Sequence, residues 1–150
     1  LIPADAPAVT ALLHRAFAVQ EVATDPPSGA LGESAESVAA LIAAGGGAGI
    51  FDGHEAIACV LWRVKDGGLY IGRLAVDPAH RRRGLARALI AAAEAHARAQ
   101  GLPRVWLSTR LALAGNRRLF AACGFVEGAA SAHPGYAAPT SIAMSKSLGS

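Results

Sequence analysis

Residues 69–109 read LYIGRLAV DPAHRRRG LARALIAAAEAHARAQ GLP RVWLST, and the order of elements in that stretch decides the fold. Residues 69–76 are apolar and strand-like, Asp77-Pro78 breaks the strand, and a helix is predicted from about Gly84 to Gln100. Along that helix Arg87, Glu94 and Arg98 share one stripe, while Leu85, Leu89 and Ala92 face away from it. Gly101 and Pro103 stop the helix, and residues 104–109 form a short second strand. Strand, helix and strand in this order make a crossover whose two strands lie parallel in one sheet.

Upstream, residues 48–52 and 56–64 are strand-like and joined by the turn Asp52-Gly53-His54. Lys65-Asp66-Gly67-Gly68 is a hairpin turn into residues 69–76, so three consecutive strands form an antiparallel meander. Before them come two helices. Val9, Leu12, Leu13 and Phe17 mark one over residues 8–18, and Val38, Leu41 and Ile42 mark another over residues 34–44. Ser34 is placed to cap the second, and Gly45-Gly46-Gly47 ends it. Asp25-Pro26-Pro27-Ser28-Gly29 is a loop by composition.

Downstream, a short helix is expected near residues 116–123, ended by Gly124, with closing strands at residues 125–127 and 141–146. The turn-prone segment His133-Pro134-Gly135-Tyr136 joins them. Internal repeats and linkers are absent, so the 150 residues are expected to form one domain. The fold class is α+β, a mixed α/β sandwich: a mostly antiparallel sheet with one parallel strand pair, flanked by helices.

Composition narrows the function. An apolar fraction of 53% with 17% charged residues fits a globular domain able to bury a core. A run of about 18 apolar residues is missing, which argues against a membrane span, and no signal peptide is visible. Leu1 in place of an initiator methionine implies that residues of the gene product precede it. Cys59 and Cys123 lack metal-ligand spacing and sit in apolar stretches, so no metal is expected and a reducing, cytoplasmic setting is. The net charge is +3, yet Arg81, Arg82, Arg83 and Arg87 alone supply +4, leaving the remainder at −1. A nucleic-acid binder spreads its charge over a face. Here the excess is one spot, suited to a small anion.

That spot, Arg81-Arg82-Arg83-Gly84-Leu85-Ala86, lies where a strand turns into a helix. The first N–H groups of a helix have no internal partners and carry partial positive charge, so the turn is suited to a phosphate or pyrophosphate. Small residues at Gly84 and Ala86 let an anion approach the backbone, and arginines add charge-assisted hydrogen bonds. A solvated basic helix start is the alternative. Neither a P-loop nor a Gly-x-Gly-x-x-Gly fingerprint is present.

The stretch Leu74-Ala75-Val76-Asp77-Pro78-Ala79-His80-Arg81-Arg82-Arg83-Gly84-Leu85-Ala86 resembles the acetyl-CoA signature of the GNAT family of N-acetyltransferases. That signature is Gln/Arg-x-x-Gly-x-Gly/Ala after a strand and a V-x-P turn; Arg81, Gly84 and Ala86 fill its defined positions. Asn116-Arg117-Arg118-Leu119-Phe120-Ala121-Ala122-Cys123-Gly124-Phe125 resembles the family's second block, which ends in LY-x-x-x-GF. The resemblance implies the GNAT-like acyl-CoA N-acyltransferase fold, in which a bulge splays the strand of residues 69–76 from that of residues 104–109. It further implies that acetyl-CoA is the acyl donor. Backbone amides from Arg82 to Arg87, with Arg81, Arg83, Gly84, Leu85 and Ala86 between or beside them, would take the pyrophosphate. Leu74, Ala75 and Val76 would hold the pantetheine arm through main-chain groups. Asn116 resembles the family's cofactor-contacting asparagine, with a plain helix N-cap as the alternative.

Two departures matter. Phe120 stands where the family has a tyrosine that protonates the leaving thiolate, and phenylalanine has no proton to give. It is assigned to packing against the cofactor. Tyr136 and His133 head the alternatives for the proton, ahead of Ser108, Thr109 and water, with an ordinary Pro-Gly turn as the plain reading of their segment. Nor does residues 69–76 offer a carboxylate base; its one charged side chain is Arg73, expected to pair with a buried carboxylate or to orient an acidic substrate. Glu33 and Glu36 are the outlying candidates, with helix capping as the alternative. The backbone N–H of Val76 is expected to polarise the thioester carbonyl. The expected function is acetyl transfer directly to a primary amine of a small molecule or peptide. The alternative is a CoA- or acyl-CoA-binding module of the same fold with little turnover. Neither nucleic acid nor membrane is expected as a partner. Relatives often dimerise, which makes a homodimer an open option, and the acceptor loops are expected at residues 25–36 and 129–139.

Overall fold

The computed structural model describes residues 1–18 and 32–149, so the Asp25-Pro26-Pro27-Ser28-Gly29 turn lies outside the described residues. Among the described residues four helices, α1 (Ala6–Ala18), α2 (Ala35–Ala44), α3 (Leu85–Ala99) and α4 (Ala114–Ala122), surround six strands. The strands are β1 (Gly46–Asp52), β2 (Glu55–Lys65), β3 (Gly68–Val76), β4 (Arg104–Arg110), β5 (Val126–Ser131) and β6 (Ser141–Ser147), in the sheet order β1-β2-β3-β4-β6-β5. Every neighbouring pair is antiparallel except β3 and β4, which are parallel across the α3 crossover. This is the α+β arrangement expected from residues 69–109.

Two cores cover the two faces of the sheet. Leu89, Ile90, Ala93 and Ala97 of α3 pack with Ala58 and Val60 of β2, Leu69 and Ile71 of β3, and Val105 and Leu107 of β4. On the other face Val9, Leu12 and Leu13 of α1 and Val38 and Ile42 of α2 cover Cys59, Leu61 and Ala75. Because β2 is buried on both faces, Ala56 to Leu61 reads as an unbroken apolar run instead of alternating. Each fully buried leucine contributes ~1.5–3 kcal/mol of apolar transfer.

Local chemistry explains most boundaries. Asp66 and Gly67 both have positive φ, 51° and 74°, so the hairpin turn expected between β2 and β3 takes the type I′ form. Ser34 caps α2, its hydroxyl accepting from the Ser37 amide at 3.1 Å. The glycine run after α2 behaves differently from its reading as a plain stop. Gly45 ends the helix, but Gly46 and Gly47 open β1. A Cβ on Gly47 would lie 2.4 Å from the Val60 carbonyl oxygen, so this edge can pair with β2 only without a side chain.

The feature that shapes the site lies in β3. Cys59 pairs with Ala75 and Leu61 pairs with Gly72, so Arg73 and Leu74 together oppose Val60 in a bulge. On its other side, β3 pairs with β4 only at Leu69 with Val105 and Tyr70 with Trp106. Beyond those two pairs the strands part.

Candidate active site

Between the end of β3 that parts from β4 and the segment that follows β4 lies a cleft of about 680 Å³. Its walls come from four places. Leu74, Ala75 and Val76 form one edge; Arg81, Arg82, Gly84, Leu85, Ala86 and Arg87 form the end nearest α3. Asn116, Leu119 and Arg118 of α4 face them, and Ala16 and Phe17 of α1 close the remaining side. His80, Arg118, Ala114 and Gly115 are not among the site residues expected from the sequence. Leu119 sits three positions after Asn116, so helical spacing could have placed both on the cleft wall, whereas Arg118, two positions on, carries no such signal.

Strand alternation fixes what the β3 edge presents. The Asp77 amide donates to the Ile57 carbonyl at 2.8 Å, and two residues back Ala75 is the β2 register partner of Cys59. The intervening Val76 N–H therefore points away from β2, into the gap.

The loop after β3 is built around Asp77. Its Oδ1 accepts from the Ala79 amide at 2.9 Å, capping the single 3-10 turn Pro78–His80, and its Oδ2 accepts from Arg15 Nε of α1 at 3.0 Å. The Ala79 amide bond, then the Arg15 guanidinium, hold the Asp77 carboxyl below its ordinary value of 3.8. Arg15 also donates to the Ala56 carbonyl at 3.0 Å and lies 3.3 Å from Glu55, so α1 fixes the strand end from which the loop departs.

Within the loop Arg82 and Gly84 both take left-handed conformations, φ 65° and 75°, and α3 starts at Leu85 with no side-chain cap. Such a curl makes successive backbone N–H groups converge, and the uncapped helix start adds further amides. Arg81, Arg82 and Arg87 line the cleft at this end, whereas Arg83 turns off it and donates to His80 Nδ1 at 3.1 Å. The arrangement is one suited to an anion, with an apolar trough leading from it.

The remaining sequence candidates divide. Asn116 is exposed on the cleft, but α4 starts at Ala114 behind Leu113, so Asn116 is not its N-cap. Phe120 does not line the cleft. It is 6% exposed and tilted against Phe125 in the core, with ring centroids 5.9 Å apart, so the expected packing against a cofactor is replaced by core packing. His133 and Tyr136 lie in the β5–β6 loop away from the cleft lining. The His133 amide donates to Thr140 Oγ1 at 3.0 Å, its ring Nδ1 meets the same oxygen, and the Tyr136 amide closes a turn onto the His133 carbonyl. Glu33 is paired: Arg73 Nη2 donates to it at 3.0 Å. The carboxylate expected beside Arg73 is this one, and Glu33 does not line the cleft. Cys59 is buried, and desolvation pushes its thiol up to about 12, so it is no nucleophile. Among the described residues no group of three or more His, Cys, Asp or Glu is placed to hold a metal, and no helix is long and apolar enough to cross a membrane.

Residues 10–125 match the Acetyltransferase (GNAT) family. The chain belongs to that family. GNAT folds of similar shape include the ribosomal-protein-S18-alanine N-acetyltransferase of Escherichia coli, 22% identical, covering 100% of this chain and 92% of that one with a TM-score of 0.75. PaiA N-acetyltransferase from Thermoplasma acidophilum, solved in complex with coenzyme A, is 14% identical with TM-score 0.77, covering 98% of this chain and 95% of that one. Ard1 from Thermoplasma volcanium is 17% identical with TM-score 0.79, covering 98% and 93%. At these identities the likeness is one of fold. No curated protein matches the sequence significantly.

Proposed function

We propose that this GNAT member transfers acetyl from acetyl-CoA directly to a primary amine of a small molecule or peptide. The observation that carries the reading is the cleft itself: one strand edge with inward-facing main-chain groups, ending in a curled arginine loop at a bare helix start. A pyrophosphate suits the amides of Arg82 to Arg87, with Arg81, Arg82 and Arg87 beside them. A pantetheine arm, which carries amides of its own, suits the exposed edge of Leu74, Ala75 and Val76. The Val76 N–H is then the donor that stabilises negative charge developing on the thioester oxygen.

Acyl transfer between two bound reactants draws much of its rate from alignment, roughly 7–11 kcal/mol for well-oriented groups. The mechanism therefore needs no covalent enzyme intermediate, in keeping with the neutral, buried Cys59. With Phe120 in the core and Tyr136 and His133 off the cleft, proton exchange is assigned to water and the departing thiolate leaves without a side-chain acid.

Thermal-shift titration with acetyl-CoA followed by a CoA-release assay over an amine panel tests this reading. A saturable rise in midpoint together with amine-dependent release is expected. A rise with no release for any amine supports the binding-module alternative, and no rise removes both.

A further inference from the structure

Leu74, Ala75 and Val76 are bracketed by two ion pairs that run from β3 to the layer of α1 and α2. Asp77 on their C-terminal side is held by Arg15. On their N-terminal side Arg73 Nη2 donates to Glu33 Oε1 at 3.0 Å, and the Glu33 side chain, 12% exposed, takes the Ser37 hydroxyl on its other oxygen. Ser37 belongs to the first turn of α2.

Arg73 is unusual twice over. Its φ of 51° puts it in the left-handed region, at a bulge position where glycine is the ordinary occupant. Its Nε is buried without a hydrogen-bond partner among the described residues. Glycine would remove both features. An arginine at this spot is explained by what its far end holds. The bulge backbone has a second tie, since Cys59 Sγ donates to the Arg73 carbonyl at 3.4 Å.

We infer that Arg73 is a positioning residue: through Glu33 it braces the bulge, and the bulge aims the Val76 N–H and the edge from Leu74 to Val76 into the gap between β3 and β4. Arg73 does not line the cleft, so its action passes through the strand. For catalysis this rests on the cleft being the acetyl-CoA site; the brace itself concerns only β3.

Arg73→Gly and Glu33→Ala test it, with Arg73→Lys as the charge-preserving control. Three quantities are read: hydrogen exchange at residues 74–76 in the unliganded protein, the thermal midpoint, and kcat with KM for acetyl-CoA. Arg73→Gly suits the left-handed φ, so its midpoint is expected to hold. Exchange at residues 74–76 is expected to accelerate, and kcat to fall ~10-fold or more with KM changed by less than ~3-fold, the pattern of misalignment at the reacting atoms. Glu33→Ala is expected to do the same and Arg73→Lys to recover most of the rate. Wild-type exchange and kcat in Arg73→Gly would overturn the inference. So would a lowered midpoint with kcat unchanged, the signature of a purely structural pair. If the wild-type protein releases no CoA with any amine, the acetyl-transfer reading fails, while the exchange measurement still decides the brace.

Discussion

At Gly84 an added Cβ would meet nothing within 4 Å, yet φ there is 75°. The residue is held by conformation and not by crowding, which refines the expectation that small size lets an anion approach. Gly84→Val places a β-branched residue in the left-handed region, at a cost of ~1–2 kcal/mol or a rebuilt loop. Its acetyl-CoA-induced thermal shift is expected to vanish, and an undiminished shift would place the anion site elsewhere. Asp77 sets the pH behaviour of the same loop. Its carboxyl is depressed in the folded protein, so its stabilisation is complete above the ordinary value of 3.8 and is lost as pH falls through the lower folded value. Unfolding free energies of wild type and Asp77→Asn should differ at neutral pH and converge as pH falls through the depressed folded value. A gap that stays constant across that range would remove the charge from the argument.

Among the elements, α4 separates what a motif conveys from what packing decides. Phe120 occupies the position of a proton donor in the family's second block, but its ring is 6% exposed and turned into the core against Phe125. Phe120→Ala is expected to cost about 3–5 kcal/mol, measured by denaturant unfolding. Phe120→Tyr is expected to lose stability, because its hydroxyl enters an apolar environment, and to gain no rate; a faster CoA release would show that the side chain reaches the cleft.

The sequence made residues 69–109 legible because each boundary there carries a chemical mark: Asp77-Pro78, Gly84, Gly101 and Pro103. The start of α4 carries no such mark. Leu113 stands at its N-cap without a capping side chain, so the eye goes to Asn116. β5 is also faint, since every residue from Val126 to Ser131 is exposed and no alternation survives. That Arg81, Arg82 and Arg87 cluster at one spot was readable from the charge excess, and they line one end of the cleft. The Arg73–Glu33 pair was readable only in part: an unmatched arginine in an apolar strand predicts a carboxylate, but a partner 40 positions away is chosen by the tertiary fold.

For the whole molecule, the divergence of β3 and β4 reaches beyond the reaction. β1, β2 and β3 form one antiparallel ladder and β4, β6 and β5 another, bridged by strand pairing at two residue pairs, by Arg104 and Trp106 donating to the Asp66 and Lys65 carbonyls beside them, and by α3 packed across both. The protein is thus bound like a book, with its spine at Leu69–Tyr70 and Val105–Trp106. Partial opening along that spine should be a cheaper fluctuation than global unfolding, visible as two blocks of amides that exchange at separate rates. A molecule lying between the leaves and gripping both acts as a clasp. At 100 times its Kd it raises the opening free energy by ~2.7 kcal/mol, and by the same amount for either leaf. Acetyl-CoA is therefore expected to merge the two blocks into one, whereas a ligand resting on a single leaf would slow that block alone.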